Sequence, residues 1–147
     1  MHNDFESLAG WVPDAPTLTQ EQAHSGHYSI KADQAHQYGL TYYSLLGHLS
    51  PVRIRGVRVE AWAYMGEGAT DASLRVGVND VAGGKMVIGD GIDYKDQVRV
   101  PAKWVKISKE ITFPPNANYS SQLVIYLWNP GGSGTAYVDD MQLTALH

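Results

Sequence analysis

The sequence predicts an all-β fold, two antiparallel sheets packed as a jelly-roll sandwich, on three observations. Segments of alternating apolar and polar residues recur along the chain, the period-two signature of half-buried strands. Clusters of Gly, Pro, Asn, Asp and Ser separate these segments. No 11-residue window sustains an amphipathic helical period. Strands that each bury one face are satisfied by packing sheet on sheet. At 147 residues the chain fits a single domain, residues 1–147, large enough to bury its own core.

Each expected strand has a local reason. Tyr28 to Ala32 follows a Ser25-Gly26 turn, and Tyr38 to Leu46 is rich in Tyr and Leu. Val57 to Tyr64 alternates most cleanly: Val57, Val59, Ala61 and Ala63 share one face, Arg58, Glu60, Trp62 and Tyr64 the other. Leu74 to Asn79 repeats the pattern, with Leu74, Val76 and Val78 inward and Arg75, Gly77 and Asn79 outward. Gly83-Gly84 turns the chain into Lys85 to Ile88, and the Gly- and Asp-rich stretch Gly89 to Gln97 reads as a long loop carrying Tyr94. Trp104 to Phe113 stops at Pro114-Pro115, since proline cannot donate to a ladder. In Gln122 to Trp128, Leu123, Ile125 and Leu127 point inward and Gln122, Val124, Tyr126 and Trp128 outward. After the Asn129 to Gly134 turn, Ala136 to Leu143 closes the fold.

Composition narrows the function. Hydrophobic residues at 44% and charged residues at 18% describe a folded chain rather than a disordered one. A net charge of −4 with no basic stripe argues against nucleic acid, because nothing would displace counterions from phosphates. The longest apolar run, Leu123 to Trp128, is too short to cross a bilayer. With no cysteine, disulfides and thiolate metal sites are excluded. The chain opens at Met1-His2-Asn3-Asp4 without a charged and apolar signal segment and stops at Leu146-His147, which predicts a module of a longer protein or a mature form. Nine Tyr and four Trp against two Phe favour half-wet surfaces, where an apolar face and a polar edge are both used, although both also fill sandwich cores.

The order of motifs is itself informative. Asn3-Asp4-Phe5-Glu6 is followed by Gly10-Trp11, then His24-Ser25-Gly26-His27-Tyr28-Ser29, the Val57 to Tyr64 strand, Trp104 with its lysine-flanked strand, and Tyr137-Val138-Asp139-Asp140-Met141-Gln142-Leu143. Across essentially the whole chain this resembles the carbohydrate-binding modules of the galactose-binding-like jelly-roll superfamily, especially its xylan- and β-glucan-binding group. The resemblance implies one structural calcium ion where the first strand meets the last. Its ligands would be the carboxylates of Glu6 and Asp139 and backbone oxygens near Asp4, Ser25 and His27. Calcium takes six to eight hard oxygens, which suits carboxylates gathered from distant segments. An ion bound only by the folded state adds about 2.7 kcal/mol at a hundredfold excess over its dissociation constant. Asp140 is the second choice of ligand, because alternation turns it away from Asp139. Without an ion, Glu6 and Asp139 would simply cap exposed turns.

A sugar site needs exposed rings against C–H faces, interleaved with side chains that hydrogen-bond hydroxyls. Arg58, Glu60, Trp62 and Tyr64 offer this on one strand, Gln122, Tyr126 and Trp128 on another, and Arg75 and Asn79 on a third. If these strands share a sheet they form one polar and aromatic trough. Trp62 lying under a loop, or Trp128 bracing the next turn, would remove them from it. Tyr42, Tyr94 and Trp104 read as packing or loop residues, and a site at the loop edge would use Trp11 and Tyr94 instead.

Catalytic constellations are missing. His24 and His27 flank a glycine turn with no helix to align them, and there is no His-Glu-x-x-His or Gly-x-Ser-x-Gly. Glycosidase carboxylates must face each other across the sugar, and Glu60 has no acidic mate on its face. The Gly131 to Gly134 loop opens no helix that would cradle phosphate, and Asn118-Tyr119-Ser120 is a glycosylation sequon with meaning only in a eukaryotic source. The expectation is a secreted or cell-surface, non-catalytic module that binds polysaccharide, a β-glucan or xylan, and tethers the other domains of its parent protein to it. The rivals are a structural or adhesive domain of a larger surface or phage protein, and a small hydrolase.

Overall fold

The computed structural model describes residues 2–3, 18–39, 42–50, 52–66, 71–80, 86–98, 100–130 and 134–147. Within them run β1 (His2–Asn3), β2 (Leu18–Thr19), β3 (Ser29–Ala32), β4 (Tyr42–Leu45), the single-turn α1 (Leu46–Leu49), β5 (Gly56–Met65), β6 (Ser73–Asn79), β7 (Met86–Asp93), the single-turn α2 (Tyr94–Gln97), β8 (Trp104–Thr112), β9 (Gln122–Trp128) and β10 (Ala136–Leu146). They form two sheets, one in the order β2-β3-β10-β5-β8 with β1 also on β10, the other in the order β4-β9-β6-β7. All named strand pairs are antiparallel. The predicted all-β jelly-roll sandwich is the observed fold.

Alternation sets the core. Val57, Val59, Ala61 and Ala63 of β5, Leu74, Val76 and Val78 of β6, and Leu123, Ile125 and Leu127 of β9 are all buried, in the inward positions predicted for them. Each fully buried Val, Leu or Ile among them contributes about 1.5–3 kcal/mol of apolar transfer. Their partners across the interior include Ile107 and Ile111 of β8 and Val138, Met141 and Leu143 of β10.

One stretch departs from expectation. Gly89 to Gln97 is not a long loop: Met86–Asp93 is β7, an edge strand on β6, and Tyr94 opens α2. Glycine weakens local strand preference, but here Gly89 and Gly91 pair with Gly77 and Arg75, and the ladder overrides composition. Tyr94 is fully buried, its hydroxyl donating to the Tyr137 carbonyl at 2.7 Å, and burial raises the pKa of its phenol. A loop-edge site using Tyr94 is therefore ruled out by its position in the core; Trp11 lies outside the described residues.

Where the two edge strands β7 and β8 meet, Lys109 Nζ of one sheet donates to Asp90 Oδ1 of the other at 2.8 Å. Both residues stand at inward positions of edge strands, a placement that discourages edge-to-edge pairing with other chains.

Candidate functional site

The outer face of the β4-β9-β6-β7 sheet is built row by row. Tyr43 pairs with Val124, Val124 with Gly77, and Gly77 with Gly89, so one row across all four strands runs from a tyrosine ring to two glycines. The row spans three interstrand spacings, about 14 Å. On one side of it stand Tyr126 and Arg75, which pair with each other, and on the other Asn79, which pairs with Gln122. With no side chains on Gly77 and Gly89, the middle row sinks below its neighbours. The result is a groove of about 250 Å³ crossing the strands, lined by Tyr43, Tyr126, Arg75, Asn79 and the glycine floor.

Arg75 is shaped by its glycine partner. A Cβ on Gly91 would sit 3.0 Å from Arg75 Nη1 and 2.8 Å from the Leu74 carbonyl oxygen, so the guanidinium lies across β7 where only glycine leaves room. Beyond Tyr126 the aromatic surface continues. Tyr38, 58% exposed, stacks on Trp128 with ring centroids 6.4 Å apart and tilts against Tyr126 at 5.8 Å. An isolated bridge between Tyr38 and Trp128 holds the two segments side by side. Trp128 Nε1 is buried and donates to no partner among the described residues, while Asn129 braces the turn through bonds to the Ala32 and Gly134 carbonyls.

The trough expected from three strands is split. Arg75, Asn79, Gln122, Tyr126 and Trp128 belong to the second sheet, but Arg58, Glu60, Trp62 and Tyr64 sit on β5 in the first. The first sheet's outer face is partly covered by the protein itself. His24 stacks on Trp62 with centroids 4.0 Å apart and planes 12° from parallel, and meets Trp104 edge-on at 5.9 Å. Tyr64 packs against Trp104 and Tyr137. Arg58 is ion-paired to Glu110 at 2.6 Å and Glu60 to Lys106 at 3.4 Å, both across the β5–β8 ladder. Tyr137 in turn donates to Glu21, whose carboxyl is held below its usual range by Lys31 first and Tyr137 second.

The corner expected to hold calcium is only partly described, since Asp4 and Glu6 lie outside the described residues. Asp139 is fully buried, and its Oδ2 accepts the backbone N–H groups of His24 at 2.9 Å and Ser25 at 3.1 Å. The structure thus brings the Ser25 turn onto Asp139, but through N–H donors rather than the expected carbonyl of Ser25; His27 is exposed. Asp140 does not face away from Asp139. A register shift between Asp139 and Gln142, with Asp140 at φ 47°, breaks the alternation. Asp140 then reaches the same loop, bonding His24 Nδ1 at 2.6 Å and Ser25 Oγ at 2.8 Å. Burial, the largest influence, outweighs three backbone N–H groups and pushes the Asp139 carboxyl up to about 6, with the neighbouring Asp140 charge adding to it. A buried, poorly compensated carboxylate beside a second one suits a hard cation. Among the described residues no three His, Asp or Glu side chains gather as a metal cluster, so such an ion would draw on backbone oxygens or on residues outside them.

Tyr43 and the floor glycines of the groove, and Tyr38 beside it, are residues that strand-by-strand reading does not single out. The signal for them was present: Tyr42 and Tyr43 alternate, so one must face out, and outward glycines in mid-strand mark a close approach.

The sandwich thus carries its own loop over part of one outer face and presents a ring-edged polar groove on the other. The chain belongs to the carbohydrate-binding domain family, whose profile matches residues 1–133, and it is a non-catalytic member of that class. No curated protein sequence matches it. Among solved structures, it is similar to the C-terminal family 22 carbohydrate-binding module of Clostridium thermocellum Xyn10B, with 15% identity over 99% of this chain and 91% of that one and a TM-score of 0.61. The CBM22-2 xylan-binding domain of Paenibacillus barcinonensis Xyn10C aligns with 18% identity over 99% and 98% of the two chains and a TM-score of 0.58. At these identities the likeness speaks to the fold.

Proposed function

We propose that the groove on the β4-β9-β6-β7 face binds a β-linked polysaccharide, a xylan or glucan, laid across the strands. In this reading the module tethers the other domains of a secreted or cell-surface protein to that polymer. The observation that carries the reading is the glycine-floored row between Tyr43 and Gly89, flanked by Tyr126 and Arg75 on one side and Asn79 on the other. An open groove crossing four strands can admit a chain longer than itself, which suits a polymer. Rings supply apolar platforms and the arginine and amide supply donors, the pairing that sugar faces and hydroxyls call for. One of the similar structures, that from Paenibacillus barcinonensis, is named a xylan-binding domain, which favours xylan among the candidates. Since hydrogen bonds on a wet surface trade water for ligand with little net gain, affinity of about 10⁻⁶ to 10⁻³ M is expected. Affinity electrophoresis in gels containing xylan or mixed-linkage β-glucan tests this. Retardation of the wild type, lost in Tyr126→Ala, supports the reading, and no retardation by either polymer contradicts it.

We also propose a structural calcium ion beside Asp139, completed by Asp4 and Glu6. Its support is the buried carboxylate at the β10 irregularity and the loop of residues 24–25 pinned over it. When bound, the ion would supply charge compensation that Asp139 otherwise lacks.

A further inference from the structure

Strand cations among the described residues are almost all spoken for. Lys31 of β3 bonds Glu21, Arg58 of β5 bonds Glu110, and on β8 Lys106 bonds Glu60 and Lys109 bonds Asp90. Arg75 is the exception: among the described residues it forms no hydrogen bond and no ion pair with a carboxylate. It is also the strand cation that lies in the groove.

The acid closest to it in the lining, Asp90, is already committed. Alternation turns Asp90 toward the opposite sheet, where its Oδ1 accepts Lys109 Nζ at 2.8 Å and the Gly91 N–H at 2.8 Å. Desolvation, the largest single influence on that carboxyl, is overcome by Lys109, the Gly91 amide and the Arg75 charge, and the group is held below its usual range. Counting Arg75 and Lys109 against Asp90 leaves one positive charge at the groove, in a chain whose net charge is −4. The other groove side chains, Tyr43, Asn79, Val124 and Tyr126, carry no charge at neutral pH. A guanidinium presents a planar fork that fits a carboxylate bidentately. Glycine at position 91 keeps that fork low on the sheet, level with a chain lying in the groove.

Building on the polysaccharide reading of this groove, we propose that its ligand is an acidic polysaccharide, one bearing uronic acid carboxylates, with Arg75 as the residue that receives the carboxylate. Tyr43 and Tyr126 hold the sugar faces, and Arg75 sets the preference for a charged unit over a neutral one. A neutral polymer can still occupy the groove, less tightly.

The test uses matched pairs that differ only at the carboxylate: glucuronoxylan against its carboxyl-reduced form, and polygalacturonate against its methyl ester. Binding of the whole chain is followed by titration calorimetry at low and high salt. The proposal expects at least one acidic form to bind about tenfold more tightly than its neutral partner, with the difference shrinking in salt. Arg75→Gln is expected to abolish the difference, bringing the affinity of the acidic form down to that of the neutral one or below it, and a melting temperature near wild type shows that the variant is folded. Arg75→Lys keeps the charge but loses the fork, and is expected to restore only part of the preference. Equal binding of acidic and neutral forms, both lost together in Tyr126→Ala, would overturn the carboxylate preference and leave the groove reading standing. Binding of neither pair would overturn the carboxylate preference, and the groove reading falls with it if β-glucan is not bound either or if binding survives Tyr126→Ala.

Discussion

On the β5 face of the sandwich, Trp62 lies beneath His24, Tyr64 packs between Trp104 and Tyr137, and Arg58 and Glu60 are paired with residues of β8. On the β9 face, Tyr43 is 59% exposed, Arg75 is unpaired among the described residues, and the strands beside them carry glycine. The two faces use the same residue types, outward rings and charges at period-two spacing. What separates them is what lies on top and what is left out. A loop anchored by Asp139 and Asp140 covers the ring cluster of the first face, whereas Gly77, Gly89 and Gly91 empty the second. A binding surface on a sheet is therefore made as much by small residues as by aromatic ones.

The sharpest way to break this contrast is to fill the groove. Gly77→Leu puts an isobutyl group on the floor between Tyr43 and Arg75, and polysaccharide retention in affinity electrophoresis is expected to fall to background while the melting temperature stays near wild type. Retained binding would mean that the ligand lies elsewhere. Exchanging rings on the two faces comes next. Tyr126→Ala is expected to weaken binding about tenfold, the worth of one ring platform, while Trp62→Ala leaves affinity unchanged in calorimetry and instead costs about 1 kcal/mol of stability through the lost His24 stack.

The loop that closes the first face should respond to metal and pH. Removal of calcium by a chelator is expected to lower the melting temperature, and an unchanged value would count against the ion. In the chelated protein the folded Asp139 carboxyl titrates at about 6, above the 3.8 of an unperturbed aspartate. The folded state then takes up its proton first, so this residue's contribution favours folding as pH falls from about 6 towards 4, by about 2 kcal/mol. It is lost again as pH rises through 6. Bound calcium, which holds the carboxylate ionised, should flatten that dependence in melting curves recorded across pH 4–7. The smallest effect is expected from Lys106→Ala. This surface pair with Glu60 is worth under about 1 kcal/mol, and its loss should leave polysaccharide affinity untouched.

Much of the interior could be read from the sequence. The inward sets of β5, β6 and β9 follow from alternation alone, because a period of two leaves only one way to bury Val, Leu and Ile together. Sheet membership could not be read in this way. Trp62 and Tyr126 sit at outward positions on strands of the same pattern, and only long-range pairing, β5 with β10 and β8, β9 with β4 and β6, sends them to opposite faces. Asp140 escaped for a different reason. A left-handed residue in a β-bulge cancels alternation locally, and nothing in Val138-Asp139-Asp140-Met141 announces it. Gly89 to Gln97 misled because glycine content was weighed as loop propensity, while the glycines serve a strand that must lie flat beneath Arg75.

The contrast between the faces rests most directly on where a sugar chain touches. Titrating isotopically labelled protein with xylohexaose and following backbone amide shifts by NMR would locate the contact without any substitution. The account predicts that the largest changes fall on Gly77, Gly89, Arg75, Val124 and Tyr126, with Trp62, Glu60 and Lys106 unmoved. Shifts concentrated on Trp62, Tyr64 and Lys106, with the glycine-floored row silent, would contradict it.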